Sequence, residues 1–212
     1  HTWNDYGNWS RDLGHALISE NLKKGDKVSI LSETRLEWVV IDMAIMGIGC
    51  ITAPVYASNT EDQVKYIIEH SESKIVFAED QEQLDKLLVI WDDLPALKKI
   101  VVMDKYIPDD LPNVLSIEKF RELGVSHRSN HIGVFEDKLQ SVSPDDIISF
   151  TYTSGTTGNP KAGMFNSTNV ISVAKNLPDL LPTYRTDLGI SYLPLSHIAE
   201  RLLGHFIKLY SG

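Results

Sequence analysis

The alternation of strand-like and helix-like segments constrains the fold of this 212-residue chain more than any other feature. Short apolar runs at 27–31, 51–56, 74–78 and 99–103 are separated by segments in which apolar residues recur at helical spacing. Strands joined through helices pair in parallel, because each helix returns the chain to the same end of the sheet. We therefore predict an α/β fold with mainly parallel sheets covered by helices.

The helix-like segments carry recognisable boundaries. Periodicity predicts helices over three segments, 12–24, 36–46 and 81–91. Thr60 and Gln63 have the spacing of a capping box, which predicts the start of a further helix there. Pro54 is predicted to mark the edge or the exit of its strand, because proline has no N–H for a sheet hydrogen bond.

The second half of the chain is organised differently. Residues 104–113 and 126–143 are polar and are predicted to be irregular connections. The pattern changes near Pro144, where we place a subdomain boundary. The spacing of His127 and His131 would suit a metal on a helix, but no third ligand is apparent, and a solvated loop is the preferred interpretation.

Composition excludes several classes of protein. The net charge of −9 argues against a nucleic-acid-binding surface, which needs a positive field. Cys50 is the single cysteine, so the chain forms no internal disulfide, and a reducing compartment is expected. The longest apolar run, 39–51, is too short for a membrane-spanning helix and contains Asp42.

The chemistry is concentrated in the segment 147–163. A strand pattern at 147–152 is followed by four hydroxyls and two glycines: Thr153, Ser154, Gly155, Thr156, Thr157 and Gly158. Lys161 comes three residues later. Glycines let the backbone approach a ligand closely, hydroxyls donate to phosphate oxygens or bind magnesium, and lysine adds a positive charge. The segment therefore predicts a polyphosphate-binding loop, and a solvent-exposed turn is the alternative.

This loop does not follow the Walker pattern of P-loop nucleotidases. Gly155 and Gly158 are only three residues apart, and Lys161 lies three residues beyond the second glycine. Ala162 follows the lysine, where the Walker pattern has a hydroxyl residue. The chain is therefore not expected to be a P-loop nucleotidase.

Two motifs resemble a known family. The segment 152–161, Tyr-Thr-Ser-Gly-Thr-Thr-Gly-Asn-Pro-Lys, resembles the signature loop of the adenylate-forming, AMP-binding superfamily, although Ala162 stands where that family usually has glycine. The segment 191–201, Ser-Tyr-Leu-Pro-Leu-Ser-His-Ile-Ala-Glu-Arg, resembles a signature of the long-chain fatty acyl-CoA synthetase branch. Segments 6–22 and 47–56 also look like early elements of that family, so the resemblance covers most of the chain.

The resemblance implies a reaction and a set of site residues. It implies ATP-dependent activation of a long-chain fatty acid to an acyl-adenylate, followed by transfer to coenzyme A. Thr153 to Gly158 and Lys161 would bind the phosphates of ATP, with Thr153 near magnesium. Lys161 and His197 are the implied catalytic residues, and His197 and Glu200 would border the acyl substrate. For Glu200, a surface ion pair with Arg201 is the alternative.

The same resemblance implies that residues 1–212 are part of an amino-terminal AMP-binding domain without its carboxy-terminal domain. Alone, this part is expected to have little ligase activity. An adenylating enzyme for an aryl or amino acid, a non-catalytic nucleotide-binding module and a plain ATPase remain alternatives. Cytoplasmic location is expected, while peripheral attachment to the inner face of a membrane and homodimer formation stay open.

Overall fold

The computed structural model describes residues 1–104, 111–153, 159–180, 184 and 186–211. These residues form one seven-stranded sheet. Its strands, in chain order, are β1 (Lys27–Leu31), β2 (Ile51–Val55), β3 (Ile75–Ala78), β4 (Lys99–Val102), β5 (Val114–Ser116), β6 (Ile147–Thr153) and β7 (Lys161–Asn166). They lie side by side in the order β5-β4-β3-β1-β2-β6-β7. Strands β1 to β6 pair in parallel, whereas β7 runs antiparallel to β6.

Helices cover both faces of this sheet. They are α1 (Trp3–Ser19), α2 (Leu36–Gly47), α3 (Glu61–Ser71), α4 (Gln81–Val89), α5 (Ile117–Asn130), α6 (Val134–Gln140) and α7 (Ser167–Leu180). A continuous helical stretch follows, made of α8 (Ile198–Glu200), a π-helical segment (Arg201–Phe206) and α9 (Ile207–Ser211). The prediction of an α/β fold with a mainly parallel sheet is confirmed.

Two apolar cores lie on opposite faces of the sheet. Because side chains alternate along a strand, Phe77 of β3 packs with α1, α2 and α5, while its neighbour Val76 packs with α3 and α4. Both side chains are fully buried. Burying one such apolar side chain contributes about 1.5–3 kcal/mol relative to leaving it exposed. This burial on both sides holds the strands rigidly beneath the loops that follow them.

The capping box predicted at the start of α3 is confirmed. The backbone N–H of Thr60 donates to the side-chain oxygen of Gln63 over 3.1 Å. Helix α1 begins much earlier than residue 12, because Thr2 and Asp5 form a second capping box in front of Trp3.

One other prediction about secondary structure was confirmed in part and one was wrong. Pro54 is the last but one residue of β2 and thus marks the exit of its strand, but β2 is a central strand and Pro54 is not at an edge of the sheet. It is tolerated there because β2 pairs with β6 at Thr52 and Ser149, away from the residue that lacks an N–H. Residues 126–143 are not an irregular connection, since α5 continues to Asn130 and α6 follows it. The missed antiparallel strand β7 follows directly after Pro160.

The two histidines of this region lie on and beside α5. His127 and His131 stack with ring centroids 4.1 Å apart, and Nδ1 of His127 lies 2.9 Å from Nδ1 of His15. Within the described residues, no group of three or more His, Cys, Asp or Glu side chains is placed to hold a metal ion. The described residues also contain no helix that is long and apolar enough to cross a bilayer.

Candidate active site

The signature loop connects the last two strands of the sheet at its carboxyl edge. Because β1, β2, β3 and β6 are parallel, Thr153 at the end of β6 lies on the same edge as the ends of the other three. Ligands of open α/β sheets bind outside the carboxyl ends of the strands. The predicted phosphate-binding loop therefore follows a strand at the edge where a ligand is expected.

Thr153 and Lys161 face each other across the base of this loop. They are register partners in the antiparallel β6–β7 pair, and both are exposed. Among the described residues, no carboxylate forms an ion pair with Lys161, so its ammonium is available to an anionic ligand. The five predicted phosphate ligands between them, Ser154, Gly155, Thr156, Thr157 and Gly158, lie outside the described residues.

The base of the loop is bonded to α3 on both sides. The hydroxyl of Tyr66 donates to the carbonyl oxygen of Pro160 over 3.0 Å. Nδ1 of His70 lies 3.0 Å from the hydroxyl of Tyr152. Sequence reasoning missed both α3 residues, and their spacing of one helical turn is the only signal that could have drawn attention to them.

The second signature segment is fixed to the same carboxyl edge. Thr34, which follows β1, donates from its hydroxyl to the carbonyl oxygen of Leu193 over 2.6 Å and accepts from the N–H of Leu195 over 3.1 Å. The hydroxyl of Ser196 donates to the carbonyl oxygen of Val55, the last residue of β2. These bonds bring the histidine that follows to the edge where the signature loop lies.

His197 is the N-cap residue of α8, and its side chain is exposed. Nδ1 of His197 accepts a hydrogen bond from the N–H of Ala199 over 3.2 Å. A neutral imidazole that accepts at Nδ1 carries its proton on Nε2. The cap thus fixes the tautomer and leaves Nε2 as a donor, which suits an interaction with a carboxylate or phosphate oxygen.

Glu200 and Arg201 do not form the surface pair considered as an alternative, because both side chains are buried. Glu200 accepts a hydrogen bond from the hydroxyl of Ser191 over 2.6 Å. Arg201 turns to the opposite side and forms an ion pair with Asp42, with Nη2 lying 2.7 Å and 2.8 Å from the two carboxylate oxygens. Nε adds a third bond of 3.2 Å.

The Arg201–Asp42 pair is part of a buried polar network. Thr52 of β2 donates to Asp42 over 2.6 Å, and Nη1 of Arg201 donates to the hydroxyl of Ser149 in β6. The guanidinium also lies over the ring of Trp38, 5.3 Å from the ring centroid. A buried ion pair is stable only when further hydrogen bonds satisfy both partners, and this network supplies them.

His205, one helical turn beyond Arg201, is buried and neutral. Its Nε2 lies 2.7 Å from the hydroxyl of Tyr6 in α1, while Nδ1 has no partner among the described residues. Burial lowers the pKa of His205 from its ordinary 6.5 to about 4. The neutral ring therefore joins the carboxy-terminal helical stretch to the first helix of the chain.

An α/β sheet with a hydroxyl- and glycine-rich loop at its carboxyl edge is the arrangement of a nucleotide-binding domain. The family model described as AMP-binding enzyme matches residues 1–212. The chain therefore belongs to the AMP-binding enzyme family, as the two signature segments predicted.

Individual relatives agree with this assignment. The long-chain-fatty-acid–CoA ligase ACSBG1 of Rattus norvegicus is 30% identical over 197 residues, which are 91% of this chain and 27% of the relative. The chain thus spans less than a third of the length of that ligase.

Solved structures show the same fold. A putative long-chain-fatty-acid CoA ligase from Rhodopseudomonas palustris superposes with a TM-score of 0.78 at 20% identity, covering 100% of this chain and 49% of the other. The anthranilate CoA ligase AuaEII, solved with anthranoyl-AMP, superposes with a TM-score of 0.68 at 22% identity, covering 82% and 31%. At these identities the likeness concerns the fold.

Proposed function

We propose that the protein containing this chain activates a long-chain fatty acid with ATP and transfers the acyl group to coenzyme A. The observation that carries the proposal is the placement of Thr153 opposite Lys161 at the carboxyl edge, with the segment of His197 fixed to that edge. The name of the 30%-identical rat ligase supports the choice of a long-chain fatty acid and of coenzyme A.

In the first step, a carboxylate oxygen of the fatty acid attacks the α-phosphate of ATP, and pyrophosphate leaves as the acyl-adenylate forms. Lys161, assisted by the hydroxyls and N–H groups of residues 153–158, holds the β- and γ-phosphates and neutralises charge on the leaving pyrophosphate. His197 directs its Nε2 donor towards the carboxylate or the α-phosphate, which lowers the repulsion between these two anions. In the second step, the thiolate of coenzyme A attacks the acyl carbonyl and AMP leaves.

Magnesium is proposed as a companion of ATP. The exposed Thr153 hydroxyl is a suitable oxygen ligand at the end of β6. Magnesium bound to a nucleotide usually keeps several waters and takes phosphate oxygens as ligands, to which the Thr153 hydroxyl would add one protein oxygen. When bound, magnesium neutralises phosphate charge.

Glu200 is less suited to direct substrate contact than predicted, because its side chain is buried and bonded to Ser191. We propose that it supports α8 instead.

The proposal is tested by the nucleotide products of the full-length protein given ATP, magnesium and palmitate. AMP and pyrophosphate that appear only when palmitate is present would support it. ADP and phosphate would indicate an ATPase, and AMP formed only with aryl or amino acids would indicate a different adenylating enzyme. ATP binding without any turnover would indicate a non-catalytic nucleotide-binding module.

A further inference from the structure

Two side chains of α3 contact opposite sides of the signature loop. Tyr66 bonds the carbonyl oxygen of Pro160 and His70 bonds the hydroxyl of Tyr152, each over 3.0 Å. The two α3 residues are one helical turn apart, and their rings stack with centroids separated by 5.5 Å and planes inclined by 29°. They therefore act as one aromatic unit that contacts β6 and the residue just before β7.

Each contacted residue stands immediately before one end of the loop. Tyr152 precedes Thr153, and Pro160 precedes Lys161. The two ends are register partners in β6 and β7, so a shift of either strand would change the separation of the hydroxyl and the ammonium. The α3 contacts are additional to the β6–β7 pairing and oppose such a shift.

The helix that carries this unit is itself rigidly placed. Val64, Ile67 and Ile68 of α3 are at most 2% exposed and pack in the core on that face of the sheet. Burial raises the pKa of Tyr152 to about 12, so its hydroxyl keeps its proton throughout the neutral range. The protonated Tyr152 hydroxyl is therefore available as the hydrogen-bond partner of Nδ1 of His70.

We propose that Tyr66 and His70 are positioning residues that set the placement of Thr153 and Lys161 for the phosphates of ATP. This inference rests on the proposed function, because it concerns the same nucleotide site. The two residues act through Pro160 and Tyr152, so their removal weakens ATP binding without altering the pocket for the carboxylate.

The test is the dissociation constant for magnesium-ATP, measured by titration calorimetry on the full-length protein. Tyr66→Phe keeps the ring stack and removes only the bond to Pro160, and His70→Phe keeps an aromatic ring and removes the bond to Tyr152. Each variant is expected to weaken ATP binding about 2- to 10-fold, the effect of one lost hydrogen bond. The KM for palmitate should stay unchanged.

Tyr6→Phe is the matched control, because the hydroxyl that it removes contacts His205 and the carbonyl oxygen of Val39 rather than α3 or the loop. It should lower the unfolding midpoint and leave ATP affinity unchanged. If Tyr66→Phe behaves like Tyr6→Phe, Tyr66 is a structural residue only and the inference is overturned.

A double-mutant cycle with Lys161→Ala tests whether Tyr66 acts through the lysine. The inference predicts that Tyr66→Phe costs clearly less ATP affinity when Lys161 is already alanine, whereas additive losses contradict it.

The binding measurement also separates this inference from the proposed function. If wild-type protein binds ATP but forms no AMP, the proposed function fails while the cycle still decides the positioning role. If wild-type protein does not bind ATP, both are overturned.

Discussion

Arg201 pairs with Asp42 across 159 positions of the sequence, and both side chains are at most 1% exposed. The pair joins the last residue of the second signature segment to α2, which lies among the first elements of the fold. Through Thr52 and Ser149 it also reaches β2 and β6, and β6 is the strand that leads into the signature loop. This network therefore links the second signature segment to the strand that precedes the first one.

Breaking this pair on one side is expected to be strongly destabilising. Arg201→Met leaves the Asp42 carboxylate buried without its cation, at a cost of about 3–5 kcal/mol. The combined variant Asp42→Leu/Arg201→Met removes both charges and should recover much of that loss. Chemical denaturation of the full-length protein measures both. Equal losses in the single and combined variants would mean that the pair is not the source of the stability.

Lys161→Ala should weaken magnesium-ATP binding by about 10- to 100-fold, because a charge-assisted bond to phosphate contributes about 1.5–3 kcal/mol. Lys161→Arg keeps the positive charge and should lose less of the affinity for magnesium-ATP. Lys175→Ala, at an exposed position of α7, is the control and should bind ATP like the wild type. Unchanged affinity in Lys161→Ala would remove this lysine from the nucleotide site.

His197 has a capping role and a proposed catalytic role, which two substitutions separate. Asparagine is a good N-cap, so His197→Asn should fold with near-normal stability while adenylate formation falls about 10- to 100-fold through loss of the Nε2 donor. His197→Ala should lose the cap as well, about 1 kcal/mol of stability. The rate of pyrophosphate release measures adenylate formation, and thermal unfolding measures the loss of stability. Full activity in His197→Asn would limit this histidine to capping.

The stability of the protein should fall as the pH drops from about 6.5 to about 4. Burial lowers the pKa of His205 to about 4 in the folded state, whereas the unfolded chain titrates at its ordinary 6.5. Between these values the unfolded state binds more protons, so acid favours unfolding, with a total effect of about 3 kcal/mol. Burial also lowers the pKa of His15, which acts in the same direction.

Denaturation midpoints at pH 7.5 and pH 5 measure this dependence. His205→Gln should be less stable at pH 7.5 but should lose less on acidification than the wild type does. An identical acid-induced loss in both proteins would assign the effect to other groups.

The fold class was predictable because the alternation of apolar strands with amphipathic helices admits few arrangements. The capping box of α3 was equally predictable, because Thr60 and Gln63 are only three positions apart in the sequence. The position of Pro54 in a central strand was not predictable, because tolerance of a proline there depends on where β6 pairs with β2. That pairing joins residues almost a hundred positions apart.

The local motifs led to the candidate site residues, whose roles remain predictions. The two signature segments indicated Lys161 and His197 directly, whereas the contacts that fix them depend on tertiary structure. Arg201 could be read as a surface residue because its partner, Asp42, lies in a distant apolar run. Tyr66 and His70 belong to no motif, and only their tertiary hydrogen bonds to Pro160 and Tyr152 connect them with the loop.

The most direct test of the account is the identity of the nucleotide products formed by the full-length protein from ATP, magnesium and palmitate, with and without coenzyme A. The account predicts AMP and pyrophosphate that depend on palmitate, with palmitoyl-CoA appearing when coenzyme A is added and with Lys161→Ala strongly impaired. Release of ADP and phosphate, or no turnover with any carboxylate, would contradict it.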